Sequence, residues 1–147
     1  LEEYLNKLCA VHGHLHPELF EIKTLFIDSV SDLDFHMEKE ERTLFPFMIQ
    51  MKRAYSKGLN LETPPFGSVE NQIILLKEEH NTEGNRFKKI AALSNKYTPP
   101  ADACTTYKVT YGMLDEFEKN LHKHIHMENN ILFPKAISLE KNFEKVL

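Results

Sequence analysis

The chain has 147 residues, the size of one ordinary domain, and its 41% hydrophobic and 27% charged content is that of a soluble globular protein. With a net charge of −4 and scattered Lys and Arg, nothing proposes a nucleic-acid surface, and no apolar run approaches the roughly 20 residues needed to span a bilayer. Two cysteines are too few for a disulfide framework and fit a reducing cytoplasm, whereas eight histidines are an unusual load for this size.

The opening LEEYLNKL has neither the basic nor the apolar region of a signal peptide, and it lacks Met, so the chain reads as a fragment whose natural start lies upstream. A short helix over about 1–11 ends at GHLHP, residues 13–17. A long helical segment follows over about 17–56, then GLNLETPPFG at 58–67, a second segment over about 68–97, TPPADA at 98–103, and a third over about 103–145. Pro46 and Pro134 fall late in their segments and are expected to kink or end the helix. Few β-branched runs and no period-two alternation leave strands unsupported.

Each long segment carries an apolar stripe at helical spacing that runs into a histidine without changing face. The first leads through Phe26, Val30 and Leu33 to His36 and Glu40. The second passes Ile73 and Leu76 to His80, and the third passes Phe117 and Leu121 to His124 and Glu128. Long helices with short connections pack as an antiparallel up-down bundle, with the N-terminal stub supplying the fourth helix.

One stretch occurs twice. HMEKEERTLFP at 36–46 and HIHMENNILFP at 124–134 both read H-x-x-x-E-x-x-x-L-F-P, which suggests approximate internal symmetry and a site between the copies. The i, i+4 spacing puts His36 with Glu40, and His124 with Glu128, on one helix face. Carboxylates aimed into a core repel, and one must stay protonated unless cations neutralise them. Metal ions resolve the conflict, with Glu40 and Glu128 each bridging two cations and imidazoles capping the outer positions. Imidazole and carboxylate without thiolate suit iron, zinc or manganese. Ferritin-like sites use Glu-x-x-His instead, which does not recur here as a pair.

A lone histidine on an apolar stripe is ordinarily a hydrogen-bonded core residue, but three stripes with one each, two of them with a matched Glu, favour ligation. His12 stands near a helix end beside a glycine and is a weaker candidate. His14, His16, His122 and His126 read as exposed or as supporting residues. Cys104 reads as a small buried residue rather than a nucleophile, and Glu38, Glu41, Glu78, Glu79 and Glu83 read as solvated helix faces.

These residues resemble the hemerythrin-like family, and within it the bacterial iron–sulfur cluster repair di-iron proteins. VHGHLHPEL at 11–19, the two H-x-x-x-E stretches and EEHNTEG at 78–84 carry the broader likeness, and TPPADACTTYKVTY at 98–111 the narrower one. The resemblance implies one hemerythrin-like di-iron domain over 1–147, an up-down four-helix bundle with the metals between its helices. It implies His12, His36, His80 and His124 as terminal iron ligands and Glu40 and Glu128 as bridges, with an oxo or hydroxo group between two iron ions. The family places one more histidine, in a Tyr-His segment of the first helix, before the point where this chain begins; the first helix is therefore expected to be truncated.

The function so implied is cytoplasmic repair or protection of iron–sulfur clusters under nitrosative or oxidative stress, by iron donation, or by binding and reducing NO. Damaged iron–sulfur proteins would be transient partners and NO or O2 the small ligands, with no nucleic acid and no membrane involved; a homodimer is compatible with this reading. An O2 or NO carrier or sensor without turnover is the alternative, and a metal-free helical interaction module a third.

Overall fold

The computed structural model describes residues 1–62 and 64–144 of the chain. Every regular element among them is helical: α1 (Glu2–His12), α2 (Glu18–Lys39), the π-turn π1 (Glu40–Leu44), α3 (Phe45–Lys57), α4 (Val69–Leu93), α5 (Thr105–Met127), the π-turn π2 (Glu128–Leu132) and α6 (Phe133–Glu144). The all-helical fold read from the sequence is therefore what the chain forms, with boundaries within a few residues of those expected. No helix among the described residues is long and apolar enough to cross a membrane.

Of the two outcomes expected at the prolines, an end to the helical run is not what the chain shows. Each long rod passes through one turn of π-helix just before its Pro. In π1 the Phe45 N–H bonds to the Glu40 carbonyl, and in π2 the Phe133 N–H bonds to the Glu128 carbonyl, both five residues back. A proline ring collides with the carbonyl four residues earlier and offers no N–H to it. A wider turn moves that carbonyl aside and lets α3 and α6 continue, with Pro in their first turn. Both π-turns start on the Glu of the repeated motif, so the L-F-P ending sets the backbone at the functional carboxylates.

The helix ends follow from local chemistry. Gly58, at φ 64, closes α3 in the left-handed conformation that glycine adopts at low cost. Ser68 Oγ accepts the Asn71 N–H at 3.0 Å at the start of α4, and the Glu140 carboxylate accepts the Val69 N–H at 2.6 Å.

The chain divides into two compact units. One comprises Leu1–Asp32 and Thr82–Lys123. Its core includes Leu5, Leu8, Leu19, Ile22 and Leu114, and the Phe117 ring stacks on Phe87 and meets Phe26 edge-on. The other comprises Leu33–Asn81 and the stretch from His124. Its core is Leu44, Phe47, Met51, Val69, Ile73, Leu76, Phe133 and Ala136, drawn from π1, α3, α4 and α6. The repeated motifs contribute Leu44 and Phe133 to this core, the same segments that carry Glu40 and Glu128.

Candidate metal centre

In the second unit, four buried side chains bring one donor atom each within 4.8 Å of one another: His36, Glu40, His80 and Glu128. All four have relative exposures of 4% or less. His36 and Glu40 come from the first motif copy, Glu128 from the second, and His80 from the middle of α4. His124 joins at the edge, with its Nε2 2.8 Å from Glu128 Oε1 while its own side chain stays half-exposed. The two motif copies are therefore unequal, one with a buried imidazole and one with a half-open one.

Hydrogen bonding fixes the direction of both buried rings. His36 donates its Nδ1–H to Glu79 Oε2 at 2.9 Å, and His80 donates its Nδ1–H to Asn129 Oδ1 at 2.8 Å. With the proton on Nδ1, each neutral ring turns an Nε2 lone pair inward. Those two nitrogens stand 3.0 Å apart. Around them lie Glu40 Oε1, 2.9 Å from His36 Nε2, and Glu128 Oε1, 3.1 Å from His80 Nε2. Glu40 Oε1 and Glu128 Oε2 are buried and receive no hydrogen bond. Phe133 stacks on His80, the rings 7° from parallel, and seals one side.

Four acceptors with lone pairs converging on one point repel unless positive charge sits among them. Without metal, protons supply it. Glu128, favoured by His36 and His80 in spite of its burial, is held below the usual carboxylate range. Burial and the adjacent Glu128 push Glu40 up, so it tends to keep its proton. Burial opposes charge on His36, but Glu128, Glu40 and Glu79 outweigh it and raise this imidazole to about 10. Imidazole and carboxylate donors with inward lone pairs and two orphaned carboxylate oxygens fit a metal cation, and the cluster can hold one.

His12 is not part of this cluster. It lies in the first unit, where its Nε2 is 3.3 Å from Cys104 Sγ and its ring meets Tyr107 edge-on. Cys104 is exposed, not buried as the sequence suggested. His16, read as exposed or as a supporting residue, bonds to both Asp102 oxygens at 3.0 Å. Two of the glutamates read as solvated are not: Glu83 is buried and paired with Arg86, and Glu79 is the half-buried partner of His36. Sequence reasoning missed Glu79 and Asn129. Each is adjacent in sequence to a buried donor, His80 and Glu128, and that adjacency was the available signal.

A family model described as the hemerythrin HHE cation binding domain matches residues 1–136. Among curated proteins, the iron–sulfur cluster repair protein ScdA of Staphylococcus epidermidis is 33% identical over 139 residues, covering 92% of this chain and 57% of that protein. The iron–sulfur cluster repair protein YtfE of Musicola paradisiaca is 40% identical over 114 residues, covering 78% and 44%. That of Dickeya chrysanthemi is 41% identical over 106 residues, covering 72% and 42%. The chain spans about half the length of the curated relatives it matches.

Proposed function

The chain belongs to the hemerythrin HHE cation-binding family, and from that premise we propose that it is the di-iron part of a cytoplasmic protein that repairs or protects iron–sulfur clusters damaged by nitrosative or oxidative stress. The observation that carries this reading is the pair of His36 and His80 Nε2 atoms, 3.0 Å apart, with both Nδ1 atoms already committed to acceptors. A metal cation shared by these donors would make that arrangement favourable, and the relatives that the chain matches are named for iron–sulfur cluster repair.

His36, His80 and His124 would hold the iron as terminal donors, and Glu40 and Glu128 as carboxylates shared between two ions. Bound ferrous iron supplies a redox-active cation that takes NO or O2, or that can be passed to a damaged cluster. The residues do the rest. Glu79 and Asn129 orient the buried rings. Phe133 and the Leu44–Leu76 core keep bulk water from the buried donors. The half-exposed His124 is the donor open to solvent, and so marks the side from which a small molecule or a departing ion passes.

The test is anaerobic loading with ferrous iron, an iron count, and incubation with a protein whose cluster NO has damaged. Recovery of cluster absorbance and of the target's activity is the expected result. A loaded chain that binds NO reversibly and restores nothing would place it with the carriers and refute the repair reading. Fewer than about one iron per chain would refute metal binding itself, since ligand and metal stoichiometry are directly linked.

A further inference from the structure

The two buried imidazoles aim the same atom inward but rest on different outer partners. Behind His36 stands a carboxylate, Glu79, whose Oε2 accepts the Nδ1–H at 2.9 Å and whose Oε1 accepts from Lys39 Nζ. Behind His80 stands a neutral amide, Asn129, whose Oδ1 accepts the Nδ1–H at 2.8 Å. A hydrogen bond to an ionised acceptor is about twice as strong as one between neutral groups. It also draws the Nδ1 proton away from the ring and enriches the electron density at the opposite nitrogen, which raises the basicity of a metal-ligating imidazole.

From this contrast, and resting on the metal-centre reading above, we infer that Glu79 and Asn129 are positioning residues that make His36 the stronger and His80 the weaker metal donor. Both fix the Nδ1–H tautomer and stop the rings from turning, so the inward lone pairs stand ready before a cation arrives. Their difference in charge then grades the two donors. Lys39 tempers Glu79 without cancelling it, because the ammonium sits on the far oxygen and is half-exposed. A purely structural role for Glu79 is a poor alternative, since a half-exposed Lys–Glu pair contributes little to stability.

The substitutions Glu79→Gln and Asn129→Asp change charge and keep shape, so each variant retains an acceptor at Nδ1. The whole chain is loaded with zinc(II), which is diamagnetic. Affinity is read by competition with a chromophoric chelator, and the imidazole N–H signals by nitrogen-15 NMR. Glu79→Gln should weaken zinc binding by about 10- to 100-fold, the usual span for an outer partner of a ligand, and shift the His36 Nδ1–H signal alone. Asn129→Asp should tighten binding and shift the His80 signal alone. Unchanged affinity and an unchanged His36 signal in Glu79→Gln would overturn the inference while leaving the metal centre intact. So would two variants that move affinity in the same direction. A parent chain that takes up no zinc would instead overturn the metal-centre reading, and this inference with it.

Discussion

Replacing Glu40 by Gln separates what this carboxyl does without metal from what it does with metal. In the metal-free chain Glu40 and Glu128 do not share the negative charge equally. Burial and the neighbouring carboxylate push Glu40 up, whereas His36 and His80 hold Glu128 down. Glu40 therefore carries a proton at mildly acidic pH, and a neutral glutamine of the same shape imitates it. At pH 6 the Glu40→Gln chain should lie within about 1 kcal/mol of the parent, the scale of one neutral hydrogen bond, because the amide oxygen still faces His36 Nε2 across 2.9 Å. Glu128→Gln is different. It removes an ionised oxygen lying 2.8 Å from His124 Nε2 and 3.1 Å from His80 Nε2. Hydrogen bonds to charged groups contribute about 1.5–3 kcal/mol each, and the vacated charge on His36 keeps only Glu79 and a now-ionising Glu40, so a cost of about 2–3 kcal/mol is expected. Urea unfolding of the metal-free chains, which should move the Glu128→Gln midpoint by about 1 M and the Glu40→Gln midpoint much less, reads the difference. Metal titration of the same proteins should show both variants losing the bridged ion pair, because an amide cannot supply the bridging charge. Equal destabilisation of the two metal-free variants would refute the assigned protonation, and parent-like metal uptake by Glu40→Gln would refute the bridging role.

The pH dependence of the metal-free chain has a definite sign. His36 is raised from 6.5 to about 10, so its stabilising charge is fully present below 6.5 and is lost as pH rises through about 10. Glu128 and Glu79 are lowered from 4.5, so their contributions are present above 4.5 and fade in acid. Glu40 is raised from 4.5 to about 7, so its contribution fades over that span, and urea midpoints of the metal-free chain should peak near pH 4.5 and fall as pH rises from there. The metal-loaded chain should show the opposite slope above 6.5, because its imidazoles bind only when unprotonated; parallel slopes would count against imidazole ligation. Phe133→Ala removes a fully buried ring from the core and from the face of His80, and should cost about 3–5 kcal/mol in urea unfolding. Gly13→Ala should cost about 1–3 kcal/mol by the same measure, since a Cβ there would stand 2.4 Å from the Cys9 carbonyl oxygen and 2.5 Å from the Phe20 ring.

The parts of the molecule legible in the sequence were those governed by period. Apolar residues at helical spacing located the three long helical segments, and the repeated H-x-x-x-E named Glu40, Glu128 and their histidines because i and i+4 share a face. What escaped was set by contacts between helices. Glu79 lies one residue before His80, about 100° around α4, where a stripe argument assigns it to solvent; it meets His36 only because α2 passes there. Asn129 escaped in the same way, one residue beyond Glu128. The π-turns escaped because a proline in a helical pattern reads as a stop, and nothing local shows that a widened turn can absorb it. Cys104 read as a small buried residue because no base stands near it in the sequence, while its neighbour His12 comes from 92 positions away.

The metal-free and metal-loaded chains are two answers to one electrostatic problem. Folding gathers His36, His80, Glu40 and Glu128 because Leu44, Phe133 and the stripes that carry them are driven inward by apolar burial. The hydrophobic core thus forces donor atoms together at a cost that some positive charge must offset. Protons on His36 and Glu40 do so in the metal-free chain, and they occupy the same atoms that a metal would. Metal and protons must therefore compete, and a fall in pH shifts the balance toward protons. A metal bound by these four side chains would be held by exclusion of protons as much as by ligand geometry.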